Sequence, residues 1–248
     1  MNLQEILYTQ GFGTRRVCAG LLEQGHVGIF KENSGVVCVE RSNITIENIA
    51  DGWPFEVQGV RWQYHAHGYV LLNKPSGTEC SQKPSTYPSI YTLLPSPLRT
   101  RPQKSAIQGV QAVGRLDQDT TGLLILSDDG QFIHRMSSPK HHVPKVYQVG
   151  CKHPITEAAV AQLLAGVVLD DDPKPVRAAA CEQTGENTLD LTLTEGKYHQ
   201  VKRMIAAVSN RVETLHRSRM GDLDLGDLLP GQWRWLSTAD LALLKPQK

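Results

Sequence analysis

The sequence predicts an α+β protein, in which helices and strands are mixed without a regular alternation. Strand-sized apolar runs, such as residues 69–72 and 122–126, are interspersed with segments of helical period, and they do not follow the strand–helix–strand order of a parallel sheet. The sequence contains no internal repeat. With 248 residues, of which 40% are hydrophobic and 21% charged, the chain is long enough to bury a core without disulfides or a structural metal.

The first sixty residues are predicted to form a small domain of two helices and short strands. Leu3, Ile6 and Leu7 are spaced for one helix face, and Thr14 can cap a second helix that ends at Gly25. Strand-like pieces follow at residues 35–40 and 43–47. Asp51-Gly52 and Pro54 then lead into a connector region around residues 52–67. The expected division is a small domain at 1–60, a connector at 61–67 and the main domain at 68–248.

In the main domain, a buried strand at residues 69–72 precedes a Pro-, Ser- and Thr-rich stretch at 75–108, and a long loop of this kind is often functional. Asp128-x-x-Gln131 resembles a capping box that opens a helix through Met136. Further strands are predicted at residues 111–113, 123–127, 146–149 and 189–193, and further helices at residues 156–164, at residues 199–208 and after Ser237.

Composition excludes several classes of protein. The five cysteines are far apart and never form a C-x-x-C pair, which fits reduced thiols in the cytoplasm better than a disulfide framework or a zinc site. No apolar run approaches the ~18 residues of a membrane helix, and the N-terminus lacks the layout of a signal peptide. The histidines fit no standard zinc spacing, and no Gly-rich phosphate loop is present, so we predict neither a metal nor a cofactor.

Charge is balanced overall, with a net charge of +1, but it is unevenly distributed. Residues 1–60 are net acidic, whereas three acid-poor basic stretches occur at residues 74–104, 131–147 and 197–219. Each stretch alone is consistent with ordinary solvated surface. Together they favour a local positive surface that binds a polyanion.

The most informative segment is the polar loop Gly114-Arg-Leu-Asp-Gln-Asp-Thr-Thr-Gly122, which lies between two apolar strands. In such loops Asp and Thr usually form hydrogen-bonded turns, and this is the role expected for Asp119, Thr120 and Thr121. Asp117 differs because it follows a strand end, where rigid neighbours can hold a catalytic carboxylate.

Two other segments contain basic side chains that could take part in a functional site, one on a predicted helix and one on a predicted strand. In the amphipathic helix, Lys202 falls on the flank of the apolar stripe and can pair with a carboxylate, while Arg203 faces solvent and can reach a phosphate. Both could equally be surface cations with partly buried stems. Alternation places Lys145 and Tyr147 on one strand face, which suits stacking on a nucleobase, although a packing tyrosine is at least as common.

Several motifs occur in a fixed order along the main domain. They are Leu72-Asn-Lys-Pro-x-Gly77, the Gly114–Gly122 loop, Ser127-Asp-Asp-Gly130, His134-Arg135, Ser138-Pro139-x-His-His142, Lys145-x-Tyr147 and Glu195-Gly-Lys-Tyr-His-Gln-Val-Lys-Arg-Met204. In this order, they resemble the motifs of the bacterial small-subunit rRNA pseudouridine synthases, the RsuA-like family, over about residues 67–240. The N-terminal segment resembles more weakly the small RNA-binding domain of ribosomal protein S-four.

The resemblance implies a catalytic domain with a mixed, mostly antiparallel sheet and an S-four-like domain before it. It implies an isomerase that converts a uridine of 16S rRNA, of the uridine-516 type, to pseudouridine, with Asp117 as the essential carboxylate, Tyr147 against the flipped base and Lys202 paired with Asp117. The implied partner is 16S rRNA or a partly assembled small subunit, bound by a cytoplasmic monomer without a membrane. The expected RNA contacts are Arg15, Arg16, Lys74, Arg115, His134, Arg135, Lys140, His141, His142, Lys145, Lys197 and Arg203.

Two alternatives remain open from the sequence. The same chemistry could act on large-subunit (23S) rRNA, or the chain could be an rRNA-binding assembly factor without catalytic activity. The connector and the stretch before the Asp117 loop are longer than the family pattern leads us to expect, which leaves the target open more than the chemistry.

Overall fold

A computed structural model describes residues 1–31, 35–38, 45–103, 107–138, 143–170 and 172–245. These residues divide into two compact units. The first contains Met1–Tyr69, Leu94–Gln111 and Ser127–Asp129, and the second contains Val70–Leu93, Ala112–Leu126 and Gly130–Lys248.

The first unit packs two helices against a four-stranded antiparallel sheet. The spacing of Leu3, Ile6 and Leu7 predicted the first helix correctly, and all three side chains are fully buried. The Thr14 side chain caps the second helix by accepting a hydrogen bond from the Val17 amide, as predicted. The elements are α1 (Leu3–Thr9), α2 (Arg15–Glu23), β1 (Val27–Lys31), β2 (Gly35–Cys38), β3 (Pro54–Val57) and β4 (Val60–Gln63), with strand order β2-β1-β3-β4.

Two expectations for this region are wrong. Residues 52–67 were expected to be a connector, but β3 and β4 form an antiparallel hairpin there, in which Phe55 is fully buried. Of the strand expected at residues 43–47, the described part forms only one bridge, between Asn2 and Thr45. The hairpin escaped detection because its apolar residues alternate over only four positions in each strand.

The larger sheet is built from strands after residue 68, while the short helix at Ser96–Thr100 belongs to the first unit. A 3-10 turn occupies Ile90–Leu93 within the long predicted loop, and a short helix follows it. The elements are β5 (Tyr69–Lys74), α3 (Ser96–Thr100), β6 (Gln111–Ala112), β7 (Thr121–Ser127), α4 (Gly130–Ser137), β8 (Lys145–Cys151), α5 (Glu157–Ala165), β9 (Val167–Leu169), β10 (Asp172–Val176), β11 (Ala180–Gln183), β12 (Thr188–Leu193), α6 (Gln200–Ala207), β13 (Val212–Met220), β14 (Leu223–Asp224), β15 (Trp233–Trp235) and α7 (Thr238–Leu243).

The larger sheet is mixed and mostly antiparallel, as expected. Its strand order is β11-β12-β8-β13-β7-β5-β15, with β14 paired to β13 and β6 paired to β7. The pairs β11–β12, β12–β8, β8–β13 and β5–β15 are antiparallel, whereas β13 and β7 are parallel. Strands β9 and β10 form a separate two-stranded sheet. No helix in the described part of the chain is long and apolar enough to cross a membrane.

Gly122 allows the two central strands β7 and β13 to approach closely. Its φ is 104°, and a Cβ there would lie 2.3 Å from the carbonyl oxygen of Arg217, its neighbour in the register. Only glycine tolerates both the dihedral and the contact. The position therefore fixes Arg217 directly beside the end of the Asp117 loop.

The helix α4 begins at Gly130, one residue later than a capping box with Asp128 as its N-cap implies. The Asp128 carboxylate accepts a 2.7 Å hydrogen bond from the Gly68 amide and pairs with the buried guanidinium of Arg101. Arg101 also donates to Gln10, so one buried network joins three segments of the first unit.

Candidate active site

The loop that carries Asp117 is held in place by a buried lysine at the end of β5. The Lys74 ammonium group donates to the carbonyl oxygens of Pro75, Gln118 and Thr120 at 3.1, 3.2 and 2.9 Å. A further backbone hydrogen bond, from the Thr120 amide to the Asp117 carbonyl oxygen at 3.1 Å, closes the turn. The loop that follows the carboxylate is thereby fixed in one conformation.

Lys74 was expected to contact RNA, and the structure corrects this expectation. Its side chain is fully buried, and its ammonium group binds three carbonyl oxygens of its own chain. Burial lowers the pKa of Lys74, an effect that the nearby Cys80, Asp119 and Asp117 oppose. The sequence showed a basic residue near the motif but gave no sign of its burial.

Asp117 lies between two basic side chains of the α6 region. One carboxylate oxygen, Oδ2, is 3.2 Å from Lys202 Nζ, and the other, Oδ1, is 3.3 Å from His199 Nε2. The side chains of Asp117 and Lys202 are each 27% exposed, so the pair is half-sheltered from water. The ion pair predicted from the helical position of Lys202 is therefore present.

Asp119 has a larger role than the turn residue expected from the sequence. Both of its carboxylate oxygens accept from Lys202 Nζ, at 2.7 and 2.9 Å. Partial burial works to raise the pKa of Asp119, but the hydrogen bond and charge of Lys202 outweigh it, so this pKa is lowered. Likewise, burial works to lower the pKa of Lys202, but the two carboxylates raise it overall.

His199 is a site residue that the sequence reasoning missed. It precedes α6 with a left-handed φ of 48°, an unusual conformation for a residue with a side chain. Its ring stacks on Tyr198, with 3.8 Å between the centroids, and its Nε2 faces Asp117. The sequence does show a histidine immediately before an amphipathic helix, inside the Glu195–Met204 motif. Only Lys202 and Arg203 of that helix were predicted to have a function.

A cavity of about 180 Å³ opens beside Asp117. It is smaller than the ~300–1,000 Å³ of sites for drug-sized ligands, which fits a single flat ring. Tyr147 of β8 lines the cavity with only 8% of its surface exposed, and Lys145 lines it from the same strand face, as the alternation predicted. Burial, and then the charge of Arg217, lower the pKa of Lys145 to about 8.

Two more buried polar residues line the cavity, and the sequence did not single out either as part of the site. Arg217 of β13 is 2% exposed, and its Nε donates to the Leu123 carbonyl oxygen at 2.7 Å. Arg217 Nη2 and the hydroxyl oxygen of Thr120 are buried and have no hydrogen-bond partner among the described residues. From the sequence, Arg217 is one of the charges in the basic stretch at residues 197–219, and Thr120 is expected to be a turn residue.

The other residues expected to contact RNA are spread over several surfaces. Arg115 and Lys197 line the cavity, Arg115 being exposed, and Arg203 lies partly exposed on α6. His134 and Arg135 are exposed on α4. Arg15 and Arg16 are exposed at the start of α2 in the first unit, where Arg15 lies 4.0 Å from the Tyr8 ring centre. Lys140, His141 and His142 lie outside the described residues.

Chemically, the arrangement offers a shielded carboxylate beside a small cavity that one aromatic ring and several cations line. Such a carboxylate can act as a nucleophile or as a base on a group inside the cavity. No cluster of three or more His, Cys, Asp or Glu suited to a metal ion occurs in the described ranges.

Comparison with known proteins identifies the family of this chain. A family profile described as RNA pseudouridylate synthase matches residues 68–207, which include Asp117, Tyr147 and Lys202. The ribosomal small subunit pseudouridine synthase A of Yersinia pestis is 42% identical over 175 residues, which cover 70% of this chain and 71% of that protein. The enzyme of the same name from Escherichia coli K12 is 40% identical over 181 residues, covering 73% and 75% of the two chains.

A solved structure extends the likeness over the whole chain. A crystal structure of a pseudouridylate synthase superposes with a TM-score of 0.65 at 33% identity, and the match covers 98% of this chain and 99% of the other. The profile and these relatives confirm the resemblance on which the sequence reasoning relied. This chain belongs to the RNA pseudouridylate synthase family of isomerases, and within it to the RsuA-like group.

Proposed function

We propose that this protein isomerises one uridine of 16S rRNA, of the uridine-516 type, to pseudouridine, and that Asp117 is its catalytic carboxylate. The observation that carries the proposal is the position of Asp117, which lies between Lys202 and His199 at the edge of a cavity with Tyr147. The target follows from the relatives, which are named for the small ribosomal subunit.

The target base must leave the RNA stack before it can enter so small a cavity. Tyr147 presents a buried ring to the extruded base, and stacking on an aromatic ring contributes about 1–3 kcal/mol per base. Asp117 then acts at the sugar, either as a nucleophile at carbon 1′ or as a base. Lys202 is a positioning residue in this scheme, because its ammonium group lies 3.2 Å from the carboxylate and holds it in place.

RNA binding outside the cavity is proposed for the exposed basic residues around its mouth and for the first unit. Arg115 and Lys197 line the cavity with Asp117, and Arg203 follows Lys202 on α6, so their charges can meet phosphates of the flanking strand. Residues 1–60 are proposed to form an S-four-like RNA-binding domain, with Arg15 and Arg16 exposed in the first turn of α2. We propose a cytoplasmic monomer that acts on 16S rRNA or on a partly assembled small subunit.

The decisive experiment compares pseudouridine formation by the wild-type chain and by Asp117→Asn, with naked 16S rRNA and with partly assembled subunits as substrates. The substitution keeps the shape and removes the charge, so we expect an unchanged fold, a similar RNA affinity and no product. Measurable pseudouridine from pure Asp117→Asn would refute the catalytic assignment.

The target is tested by mapping pseudouridines in the rRNA of a strain that lacks the gene. Loss of one site in 16S rRNA would support the proposal. Loss of a 23S site would show that the protein carries out the same reaction on the rRNA of the large subunit. Unchanged modification of both rRNAs, together with tight rRNA binding, would indicate an assembly factor.

A further inference from the structure

We propose that Arg217 and Lys145 form an anion-binding floor in the cavity, which stabilises the uracil ring while it is detached from the ribose, and that Thr120 binds the edge of that ring. This inference rests on the proposed function and adds to it the part of the reaction in which the base is held by no covalent bond.

The first argument is the unused hydrogen-bonding capacity inside the cavity. Arg217 Nη2 and the Thr120 hydroxyl are both buried, both belong to residues that line the cavity, and neither has a partner among the described residues. A buried polar group without a hydrogen-bond partner destabilises the fold, and a charged group does so more strongly. Two such groups in one cavity indicate a ligand that carries hydrogen-bonding atoms to that place.

The second argument is charge. The cavity is lined by five Lys or Arg residues but only two carboxylates. Both carboxylates contact residues other than Lys145 and Arg217. Asp117 faces Lys202 and His199, while Glu195 accepts a hydrogen bond from Gln200 at 2.9 Å. Lys145 and Arg217 have no acidic partner within the described ranges.

The third argument is the electrostatic repulsion between Lys145 and Arg217. The lowered pKa of Lys145 has burial as its main cause and the positive charge of Arg217 as its second. An anion between the two groups would relieve both effects. A protein gains from keeping such a repulsive pair when the anion forms during the reaction, because preorganised charge then stabilises the reacting state more than the substrate.

The reaction supplies such an anion. With Asp117 as the nucleophile, a carboxylate oxygen bonds to carbon 1′ as the bond between carbon 1′ and N1 breaks. The electron pair of the broken bond passes to the base, which becomes a uracil anion with charge shared between the ring nitrogens and carbonyl oxygens. The ring turns, carbon 5 forms the new bond to carbon 1′, and the bond to Asp117 breaks. A base then removes the proton of carbon 5 and N1 gains one, so the isomerisation needs no oxidant, reductant or cofactor. Arg217 and Lys145 would hold the carbonyl oxygens throughout this turn.

A backbone phosphate is the other group that could accept from these residues. We favour the base because Arg217 is 2% exposed and lies on the central strand β13, beside Tyr147 in the register, whereas phosphates follow the outer strand of the RNA. The two ligands predict different kinetics. A phosphate contributes to RNA affinity, whereas the uracil anion exists only after binding and contributes to kcat.

The test measures single-turnover pseudouridine formation and RNA affinity for Arg217→Met. We expect the rate to fall by about 10²–10³-fold, the usual effect of removing a donor to a developing anion, while the RNA Kd stays within about twofold. Thr120→Val should lower the rate by about tenfold, the worth of one neutral hydrogen bond. Arg219→Met is the matched control, because Arg219 is an exposed arginine of the same strand outside the cavity, and it should leave the rate unchanged.

Arg217 also binds the Leu123 carbonyl oxygen, so its removal can disturb the fold. Thermal unfolding of each variant checks this. If Arg217→Met does not fold, Arg217→Lys and Thr120→Val carry the test, and each should lower the rate without a change in Kd. An increased Kd at an unchanged rate would assign the residues to a phosphate and overturn the proposal, and so would unchanged values of both quantities.

A second measurement does not depend on catalysis. By equilibrium dialysis, the wild-type chain should bind 5-nitrouracil, an acidic uracil that is an anion at neutral pH, at least tenfold more tightly than uracil, and Arg217→Met or Arg217→Lys should weaken that preference. Equal binding of the two, or no binding, would overturn the anion floor. If the wild-type chain forms no pseudouridine in any rRNA but prefers the anion, the proposed function fails while the anion site stands.

Discussion

Lys202 lies closer to Asp119 than to Asp117: its Nζ is 2.7 Å from Asp119 Oδ1 and 3.2 Å from Asp117 Oδ2. One ammonium group thus bridges two carboxylates of the same loop. Asp119 is the more exposed, at 51% of its side chain against 27% for Asp117. The exposed carboxylate therefore makes the closer contact with the lysine, and the sheltered one lines the cavity and also faces His199.

This arrangement predicts a mild effect for Asp119→Asn. Without the Asp119 charge, Lys202 can pair wholly with Asp117, so the proposed catalytic carboxylate keeps its partner. We expect the rate of pseudouridine formation to fall by less than about tenfold, because the lost contact is a half-exposed ion pair worth about 1 kcal/mol or less. A loss as complete as that of Asp117→Asn would show that Asp119 takes a direct part in the reaction.

Lys202→Met should have a large effect, because it leaves two neighbouring carboxylates without their shared cation. The Asp117 carboxylate then loses one of the two basic side chains that hold it at the edge of the cavity. We expect the rate to fall by about 10²-fold, because a misplaced reacting group can cost that factor. Lys202→Arg, which keeps the charge, should restore most of the rate. A loss that arginine does not rescue would indicate that the packing of the lysine, and not its charge, supports the site.

A third prediction concerns the loop around Glu79, which lines a second groove beside Asp117. The Glu79 carboxylate accepts backbone hydrogen bonds from Tyr87, Thr86 and Ser85, which lower its pKa from 4.5 to about 2. Because this pKa is lower in the folded chain than its ordinary 4.5, the charged carboxylate stabilises the loop at every pH above about 4.5. The stabilisation is lost as the pH falls from 4.5 towards 2.

Glu79→Gln should accordingly loosen residues 79–89 at pH 7, detected as faster amide hydrogen exchange and faster proteolysis there. The wild-type chain should show the same loosening as the pH falls below about 4.5. Glu186→Gln, at an exposed acid elsewhere in the second unit, is the matched control. Unchanged exchange in Glu79→Gln would mean that other contacts order this loop.

Sequence reasoning succeeded where a local pattern decides the structure. The α1, α2 and α5 helices begin and end at recognisable caps and apolar spacings, and the side of α6 on which Lys202 lies follows from its period alone. The β8 alternation likewise placed Lys145 and Tyr147 on one face. These features depend on neighbours within four residues, so the chain contains them locally.

The failures involve residues whose surroundings come from distant segments. Lys74 looked like a surface cation, but the loop of residues 118–120 supplies the carbonyl oxygens that bury it. Arg217 looked like one charge of a basic stretch, but the close approach of β7 at Gly122 places it inside the sheet. Burial of a long polar side chain is a tertiary property, and a single sequence offers no pattern for it.

The last prediction concerns alkaline pH, where Lys145 loses its proton. Its pKa of about 8 lies well below the ordinary 10.5, mainly through burial and then through the charge of Arg217. Because this pKa is lower in the folded chain than in the unfolded chain, the charged form of Lys145 destabilises the fold. The free energy of unfolding should therefore rise as the pH increases from 8 to 10.5. If the charge of Lys145 stabilises the detached base, the rate should fall over the same pH range.

Lys145→Arg separates this effect from other titrations, since arginine stays charged throughout. The other ionisable residues that line the same cavity are identical in both proteins, and they are Arg115, Asp117, Tyr147, Glu195, Lys197, His199, Lys202 and Arg217. We expect the wild-type single-turnover rate to decline above pH 8 and the Lys145→Arg rate to stay flat by comparison, each measured at saturating RNA. Parallel profiles for the two proteins would show that the decline comes from the substrate or from another residue, and Lys145 would then have no part in holding the anion.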